Sequence, residues 1–258
     1  MEKKVKRIIN TKVILYLSRR FQISAGVTYV VYSRFLNKYP NIPNDKDSAK
    51  ALFLLELEEY QKEERFKIIE HFLDLYGLKE FYHITHINNV NGILRDGLKP
   101  KNLLTPFDYK DIANQEIQQA RSTKRVPFFT ELNLHDFVPL FIAPKPPMHY
   151  SLKPIQDELV YLHITNLVCG MENVVFSDGN ARSNKTKFFD NWQNLSYLDW
   201  KILNQKYWND DDEEIKKNNK RIRSAEVLIP EIISPKYISS ISVLNKNQLP
   251  FIKKTMGD

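Results

Sequence analysis

Two polar side chains stand two positions apart in an apolar stretch, where they could act together on one ligand. His83 and Thr85 belong to the run Phe81–His86, whose aromatic and β-branched residues predict a strand. Side chains two positions apart on a strand point to the same face, so the imidazole and the hydroxyl would be presented together. An isolated pattern of this kind is more often part of an ordinary core. The assignment of a site therefore depends on other stretches.

A lone acid in a second apolar stretch is the other candidate for chemistry. Glu226 precedes Val227, Leu228 and Ile229 in a segment that predicts a strand. Burying an unpaired carboxylate is costly, so Glu226 either points to solvent at a sheet edge or faces a cavity where a partner uses its charge. The second alternative would place an acid opposite the strand of His83.

The elements that must position these residues predict an α+β fold. After the first strand, Val90, Ile93 and Leu94 predict a short helix that Gly97 ends. Few of the predicted strands are joined by long crossovers, which favours antiparallel pairing. Further strands are predicted at 137–143, 159–164, 225–229 and 238–244.

The first 80 residues predict a basic helical extension. Amphipathic helices are expected over 5–21, 27–36 and 48–76. Residues 1–38 hold nine Lys and Arg against one acid, Glu2, so this stretch carries +8 and the rest of the chain −1. Such a segment could collect phosphates, widen a nucleic-acid surface or dock a partner. A solvated helical face is the alternative.

Composition restricts the class of protein. With 258 residues, 42% hydrophobic and 27% charged, the chain can bury a large core. The single cysteine, Cys169, excludes an intrachain disulfide and a cysteine-based zinc site, and it suits the cytoplasm. No apolar stretch is long enough to cross a bilayer, so no membrane partner is expected.

A series of short motifs follows in order along residues 81–243. The motifs are Tyr82–His86, Gly92–Leu94, Gly97, Ile117, Gln118, Arg121, Leu134–Pro139, Pro144, Pro147, Met148, Tyr150, Phe176, Asp178–Asn180, Leu198–Trp200, Trp208, Ala225 and Glu226. In this order they resemble the DarT family. The resemblance implies a toxin of the DarTG toxin–antitoxin system, a DNA ADP-ribosyltransferase.

The resemblance implies a fold and a domain organisation. The expected ADP-ribosyltransferase fold has two antiparallel sheets enclosing a cleft for NAD, with helices on the flanks. It would occupy residues 81–258, after the extension of residues 1–80. The resemblance also implies a cognate antitoxin as a partner.

The resemblance assigns roles to residues of the cleft. His83, Ile84 and Thr85 match the strand that holds the nicotinamide side of NAD, and positions that line the same nucleotide are matched by Gly92 and Leu98. Arg121 matches an arginine that reaches the NAD phosphates and the acceptor base, and Glu226 matches the catalytic glutamate. A carboxylate beside the ribose can stabilise the oxocarbenium character that develops when nicotinamide leaves. NAD is the expected co-substrate, and the chemistry needs no metal.

The expected acceptor is a nucleobase in single-stranded DNA. Lys145 would contact the strand backbone, and Met148 or Tyr150 would stack on bases. Nothing in the sequence reads a 2′-hydroxyl, so RNA remains an alternative acceptor. The other alternative is an inactive relative that only binds nucleic acid.

Overall fold

The computed structural model describes residues 11–40, 46–105, 107 and 109–256. Contacts divide the chain into two compact units, one ending at Lys67 and one beginning at Ile68. The helices are α1 (Thr11–Phe21), α2 (Ala25–Lys38), α3 (Lys46–Leu75), α4 (Val90–Asp96), α5 (Gln115–Thr123), α6 (Pro147–Ser151), α7 (Trp200–Asn204), α8 (Glu213–Ile222) and α9 (Leu249–Met256). The strands are β1 (Glu80–His86), β2 (Val138–Phe141), β3 (Leu159–Thr165), β4 (Val175–Ser177), β5 (Phe188–Phe189), β6 (Glu226–Ile229) and β7 (Ile238–Val243).

The first unit is helical, as the spacing of its apolar residues predicts. Ser24 begins α2 by accepting a hydrogen bond from the backbone N–H of Val27 (3.2 Å), which satisfies a free donor of the first turn. Val31 and Phe35 of α2 are buried in one cluster with residues of α3. The predicted helix start at residues 5–10 lies outside the described residues, and the domain boundary predicted after residue 80 stays a prediction.

The second unit contains a seven-stranded sheet in the order β5-β4-β6-β2-β1-β3-β7, and every described pair is antiparallel. The α+β class is confirmed, but the two separate sheets expected from the resemblance are one sheet. Its halves are joined because β2 pairs with β6 along its length and with β1 at one position, where Tyr82 faces Phe141.

Pro139 explains why β1 and β2 pair at one position only. Its carbonyl oxygen lies 3.0 Å from Nδ1 of His83, so this residue of β2 directs its backbone groups toward β1. In an antiparallel strand the N–H and C=O of one residue point to the same side, and proline has no N–H to offer there. The carbonyl of Pro139 instead accepts a hydrogen bond from the side chain of His83. The sheet therefore opens beside His83.

Gly97 fixes the chain direction after α4, in agreement with the predicted helix end. Its φ of 87° lies in the left-handed region that favours glycine. A Cβ atom there would lie 2.7 Å from Cγ2 of Ile232 and 2.9 Å from the carbonyl of Ile233. Leu98 and Ile233 then exchange two backbone hydrogen bonds of 2.9 Å. The close approach holds the region of α4 against the segment that follows β6.

Two further observations concern the described part of the chain. None of its helices is both long and apolar enough to span a lipid bilayer. Cys169 is an unpaired, buried thiol, and burial raises its pKa above the ordinary value.

Candidate active site

A cavity of about 850 Å³ opens where the sheet parts, within the range of about 300–1,000 Å³ typical of ligand sites. Eight of the predicted site residues line it: His83, Ile84, Thr85, Gly92, Leu98, Arg121, Met148 and Glu226. Lys145 and Tyr150 are not part of its wall. The structure thus brings the predicted NAD-side and catalytic residues together, and two of the three predicted acceptor residues lie outside.

A buried ion pair forms part of the cavity wall. The Nη1 and Nη2 atoms of Arg121 donate to Oε1 and Oε2 of Glu226 at 3.0 and 2.9 Å. The side chains are only 10% and 3% exposed, so the carboxylate is buried and compensated. A fork of this kind fixes the plane as well as the position of a carboxylate. Glu226 therefore faces the cavity and does not point to solvent at a sheet edge.

The backbone around β4 supports the same carboxylate. The N–H of Ala181 donates to Oε1 of Glu226 at 3.2 Å. The backbone N–H of Glu226 donates to Oγ of Ser177 (2.9 Å), whose hydroxyl lies 2.8 Å from the carbonyl of Gly179. Gly179 cannot carry a side chain, because a Cβ atom would lie 2.9 Å from the carbonyl of Arg221. The turn after β4 is thereby held against the start of β6.

His83 presents a neutral imidazole to the cavity. A carbonyl oxygen only accepts, so Nδ1 carries the proton and donates to Pro139, which leaves Nε2 as an acceptor. Burial lowers the pKa of His83 below 6.5, and this effect exceeds the opposing effect of the bond to Pro139. The ring can therefore accept a hydrogen bond at neutral pH.

Thr85 and a neighbouring loop are fixed by Asn89. The Nδ2 atom of Asn89 donates to Oγ1 of Thr85 (2.9 Å) and to the carbonyl of Lys110 (3.0 Å). The backbone N–H of Lys110 donates a 2.8 Å hydrogen bond to Oδ1 of Asn89. The hydroxyl proton of Thr85 is then free to be donated to a ligand. Gly92, in the first turn of α4, has no atom within 4 Å of a Cβ position, so its missing side chain leaves room in the cavity.

Two cations of the wall have no carboxylate partner in the part of the chain that is described. Arg182 and Lys220 line the cavity and form none of the ion pairs there, whereas both terminal nitrogens of Arg121 are used by Glu226. Uncompensated cations are the groups that bind phosphate. Neither residue was predicted from the sequence, although Arg182 follows the motif Asp178–Asn180 by two positions.

A buried arginine that was not predicted from the sequence, Arg223, fixes the backbone just before the predicted acceptor residue Lys145. The guanidinium of Arg223 donates to the carbonyls of Leu203 and Pro144, the latter at 2.8 Å. Burial lowers its pKa from the ordinary value. Lys145 follows with a φ of 54°, a left-handed conformation uncommon for lysine. Tyr150 is 43% exposed and stands edge-on to Trp208.

No group of three or more metal-ligating side chains is found among the described residues. Among the described residues, the cavity wall holds nine Lys and Arg side chains against three carboxylates, so it is suited to an anionic organic ligand.

The comparisons with known proteins give the family. The family model described as "ssDNA thymidine ADP-ribosyltransferase, DarT" matches residues 82–258, more than half of the chain. The chain belongs to the DarT family. The DNA ADP-ribosyl transferase of Thermus aquaticus is 30% identical over 175 residues, which cover 64% of this chain and 75% of the relative.

Two further relatives extend the comparison with the DarT family. Thermus sp. 2.9 DarT was solved with ADP-ribosylated ssDNA (TM-score 0.63, 27% identity, 70% of this chain and 88% of that one) and with NAD+ (TM-score 0.58, 25% identity, 70% and 89%). A fusion of a DNA ADP-ribosyl transferase with a DNA ADP-ribosyl glycohydrolase from Thermosipho africanus is 26% identical over 189 residues, covering 70% of this chain and 46% of the fusion.

Membership of the DarT family confirms the predicted fold class and enzyme class, an NAD-dependent ADP-ribosyltransferase that acts on DNA. NAD is confirmed as the co-substrate of this class. The roles predicted for individual residues stay predictions.

Proposed function

We propose that this chain transfers ADP-ribose from NAD to a thymidine base in single-stranded DNA. The observation that carries the proposal is the buried Arg121–Glu226 fork in the wall of the cavity that His83 and Thr85 also line. The family description and the NAD+ and ssDNA complexes of the Thermus sp. 2.9 relative support the choice of substrates.

The reaction exchanges one bond at the ribose C1′ atom for another. The bond from C1′ to the nicotinamide nitrogen breaks, and its electron pair leaves with nicotinamide, which becomes neutral. The oxocarbenium character at C1′ is stabilised by the carboxylate of Glu226. In thymine, N3 is the ring nitrogen not bonded to deoxyribose; it forms the new bond to C1′ and loses its proton to the same carboxylate.

Residues of this chain orient the two substrates. His83 accepts and Thr85 donates hydrogen bonds at the nicotinamide side, as their proton positions allow. Arg182 and Lys220 bind phosphate groups, since neither is neutralised by a carboxylate of the described chain. Met148 offers a surface at the cavity for the acceptor base. Lys145 and Tyr150 contact the strand beyond the cavity.

The direct test uses NAD labelled in its adenylate half. The acceptors are a single-stranded DNA oligonucleotide with one thymidine, the same oligonucleotide with that base replaced by cytosine, the corresponding RNA, and the DNA duplex. We expect label on the first acceptor alone. Label on the RNA would favour the alternative acceptor, and label on no acceptor while DNA still binds would identify an inactive nucleic-acid-binding relative.

We also propose that the chain acts as a cytoplasmic toxin with an antitoxin partner. The fusion from Thermosipho africanus joins a transferase of this kind to a DNA ADP-ribosyl glycohydrolase, which supports an antitoxin that removes the mark. Expression of the chain should arrest growth, and co-expression of such a glycohydrolase should restore it. Growth that is unaffected by an active chain would contradict the toxin role.

A further inference from the structure

We propose that the first unit carries a second contact surface for single-stranded DNA, on α1. The surface consists of Tyr16, Arg19 and Arg20, and we call it the α1 basic face. This inference rests on the proposed function, because the single strand that the surface would bind is the acceptor of the transfer reaction. The family match begins at residue 82, so the α1 basic face lies outside the matched region.

The charge of the first two helices is one-sided. Residues 11–40 contain no Asp or Glu, so α1 and α2 hold only cations. The cations of α2 are neutralised by α3: Arg34 bonds Glu63 at 2.8 Å, and Lys38 lies 3.2 Å from Glu56. Arg19 and Arg20 make no ion pair with any residue in the described ranges. Among the described residues, the uncompensated charge of the two helices therefore includes Arg19 and Arg20 of α1.

The α1 basic face points away from the unit's own core. Tyr16, Arg19 and Arg20 are exposed and follow the i, i+3, i+4 spacing that places side chains on one helix face. Leu17 and Phe21 instead pack against the buried cluster of the first unit. The helix is thus fixed by its apolar side and presents its basic side to solvent.

An exposed aromatic ring beside two cations favours a single-stranded polyanion. Tyr16 is 65% exposed, and its ring stacks on no other ring of the described residues. Proteins that bind single strands without sequence preference pair basic residues along the backbone with aromatic rings under the bases. A helix face that is only solvated would not need an exposed aromatic ring among its cations. Double-stranded DNA would offer Tyr16 no unstacked base.

The test compares two single-stranded DNA acceptors with the same target thymidine, one of roughly 8 nucleotides and one extended on both sides to roughly 40 nucleotides. We expect the longer acceptor to have a several-fold lower KM with the full wild-type chain. In Arg19→Gln/Arg20→Gln its KM should rise to that of the short acceptor with kcat unchanged. The slope of log KM against log salt should fall by about 1.4, for two lost phosphate contacts.

The chain offers a matched control within the same unit. Lys62→Gln/Arg65→Gln removes two exposed cations from α3, where they alternate with acids, and should leave the KM of both acceptors unchanged. Tyr16→Ala should raise the KM of the long acceptor alone, by at most its several-fold advantage over the short acceptor, because one stacked base is lost. Helical circular dichroism equal to wild type establishes that the variants are folded.

The outcomes separate this inference from the proposed function. No transfer to either acceptor by the wild-type chain would overturn the proposed function. Transfer with equal KM for both acceptors, or an equal effect of the α3 control, would overturn the α1 basic face alone. An advantage of the long acceptor that persists when its extensions are duplex would also overturn it.

Discussion

Replacing Glu226 by Gln tests the proposed mechanism with the least damage to the fold. The carboxylate accepts three hydrogen bonds, two from Arg121 and one from Ala181, and two of them end on Oε1. The amide oxygen can keep those two. The amide nitrogen would stand where Oε2 accepts from Nη2, so one charge-assisted bond is replaced by two opposed donors. We expect the free energy of unfolding to fall by about 1.5–3 kcal/mol.

The effect on transfer should be larger than the effect on stability. Removing one group that stabilises charge in a transition state lowers kcat by about 10²–10³. The assay is single-turnover transfer of labelled ADP-ribose to a single-stranded oligonucleotide, with urea unfolding of the same samples. Glu226→Ala is a less informative test, because it leaves the buried Arg121 uncompensated and lowers the free energy of unfolding by about 3–5 kcal/mol. Loss of activity would then be confounded with loss of the fold.

Asp178→Asn is the matched control for Glu226→Gln. Asp178 also accepts from an arginine of the cavity wall, Arg221, at 2.7 Å, but it does not line the cavity. We expect a comparable loss of stability and a kcat near wild type. A Glu226→Gln variant that keeps the wild-type rate would remove the carboxylate from the mechanism. Equal losses in both variants would show that the ion pairs act only through stability.

Three further predictions follow from the cavity wall. Gly92→Leu should raise the KM for NAD several-fold while the melting temperature is kept, since space is open there; Gly97→Ala should instead destabilise by about 1–2 kcal/mol, because its φ is positive. If the two variants changed the KM for NAD and the melting temperature to the same extent, this prediction would be wrong. Asn89→Ala should lower the free energy of unfolding, measured in urea, by about 1–3 kcal/mol and raise the KM for NAD, since the bond to Thr85 is lost. An unchanged KM would show that Asn89 does not position Thr85 for NAD binding. The pKa of His83 is lowered by burial, so the unfolded chain binds a proton first and stability is lost as pH falls below about 6.5. Urea unfolding of His83→Asn should show a shallower loss, and an unchanged pH slope would contradict the assignment.

The helices and strands that carry the site could be predicted from local patterns, because a strand or a helix end depends mainly on neighbouring residues. The alternation in Phe81–His86 and the glycine at 97 predicted β1 and the end of α4, and both are present. The candidacy of Glu226 also came from its neighbours in the sequence, since an acid within an apolar run needs a partner when it is buried. Its partner Arg121 is 105 residues away, so no local pattern could name it. The resemblance selected Arg121 for contacts with the NAD phosphates and the acceptor base, and did not predict its ion pair with Glu226.

Features that depend on distant backbone atoms could not be predicted. The parting of the sheet depends on the register that sets Pro139 beside His83, and no pattern in either segment encodes it. Arg223 is bonded to carbonyl groups, which every residue carries, so its role leaves no signature in residue types. Arg182 and Lys220 stand out only because each acid among the described residues of the cavity wall, Asp96, Asp111 and Glu226, is paired with another cation.

The buried thiol gives the molecule a practical property. Cys169 is the sole cysteine of the sequence, is 2% exposed, and has a pKa raised by burial, so little thiolate is available to react. A Lys145→Cys variant would therefore take a maleimide fluorophore at one exposed place, two positions before Pro147 of the cavity wall. Arrival of a nucleic-acid strand could then be followed by emission in real time, without NAD and without turnover.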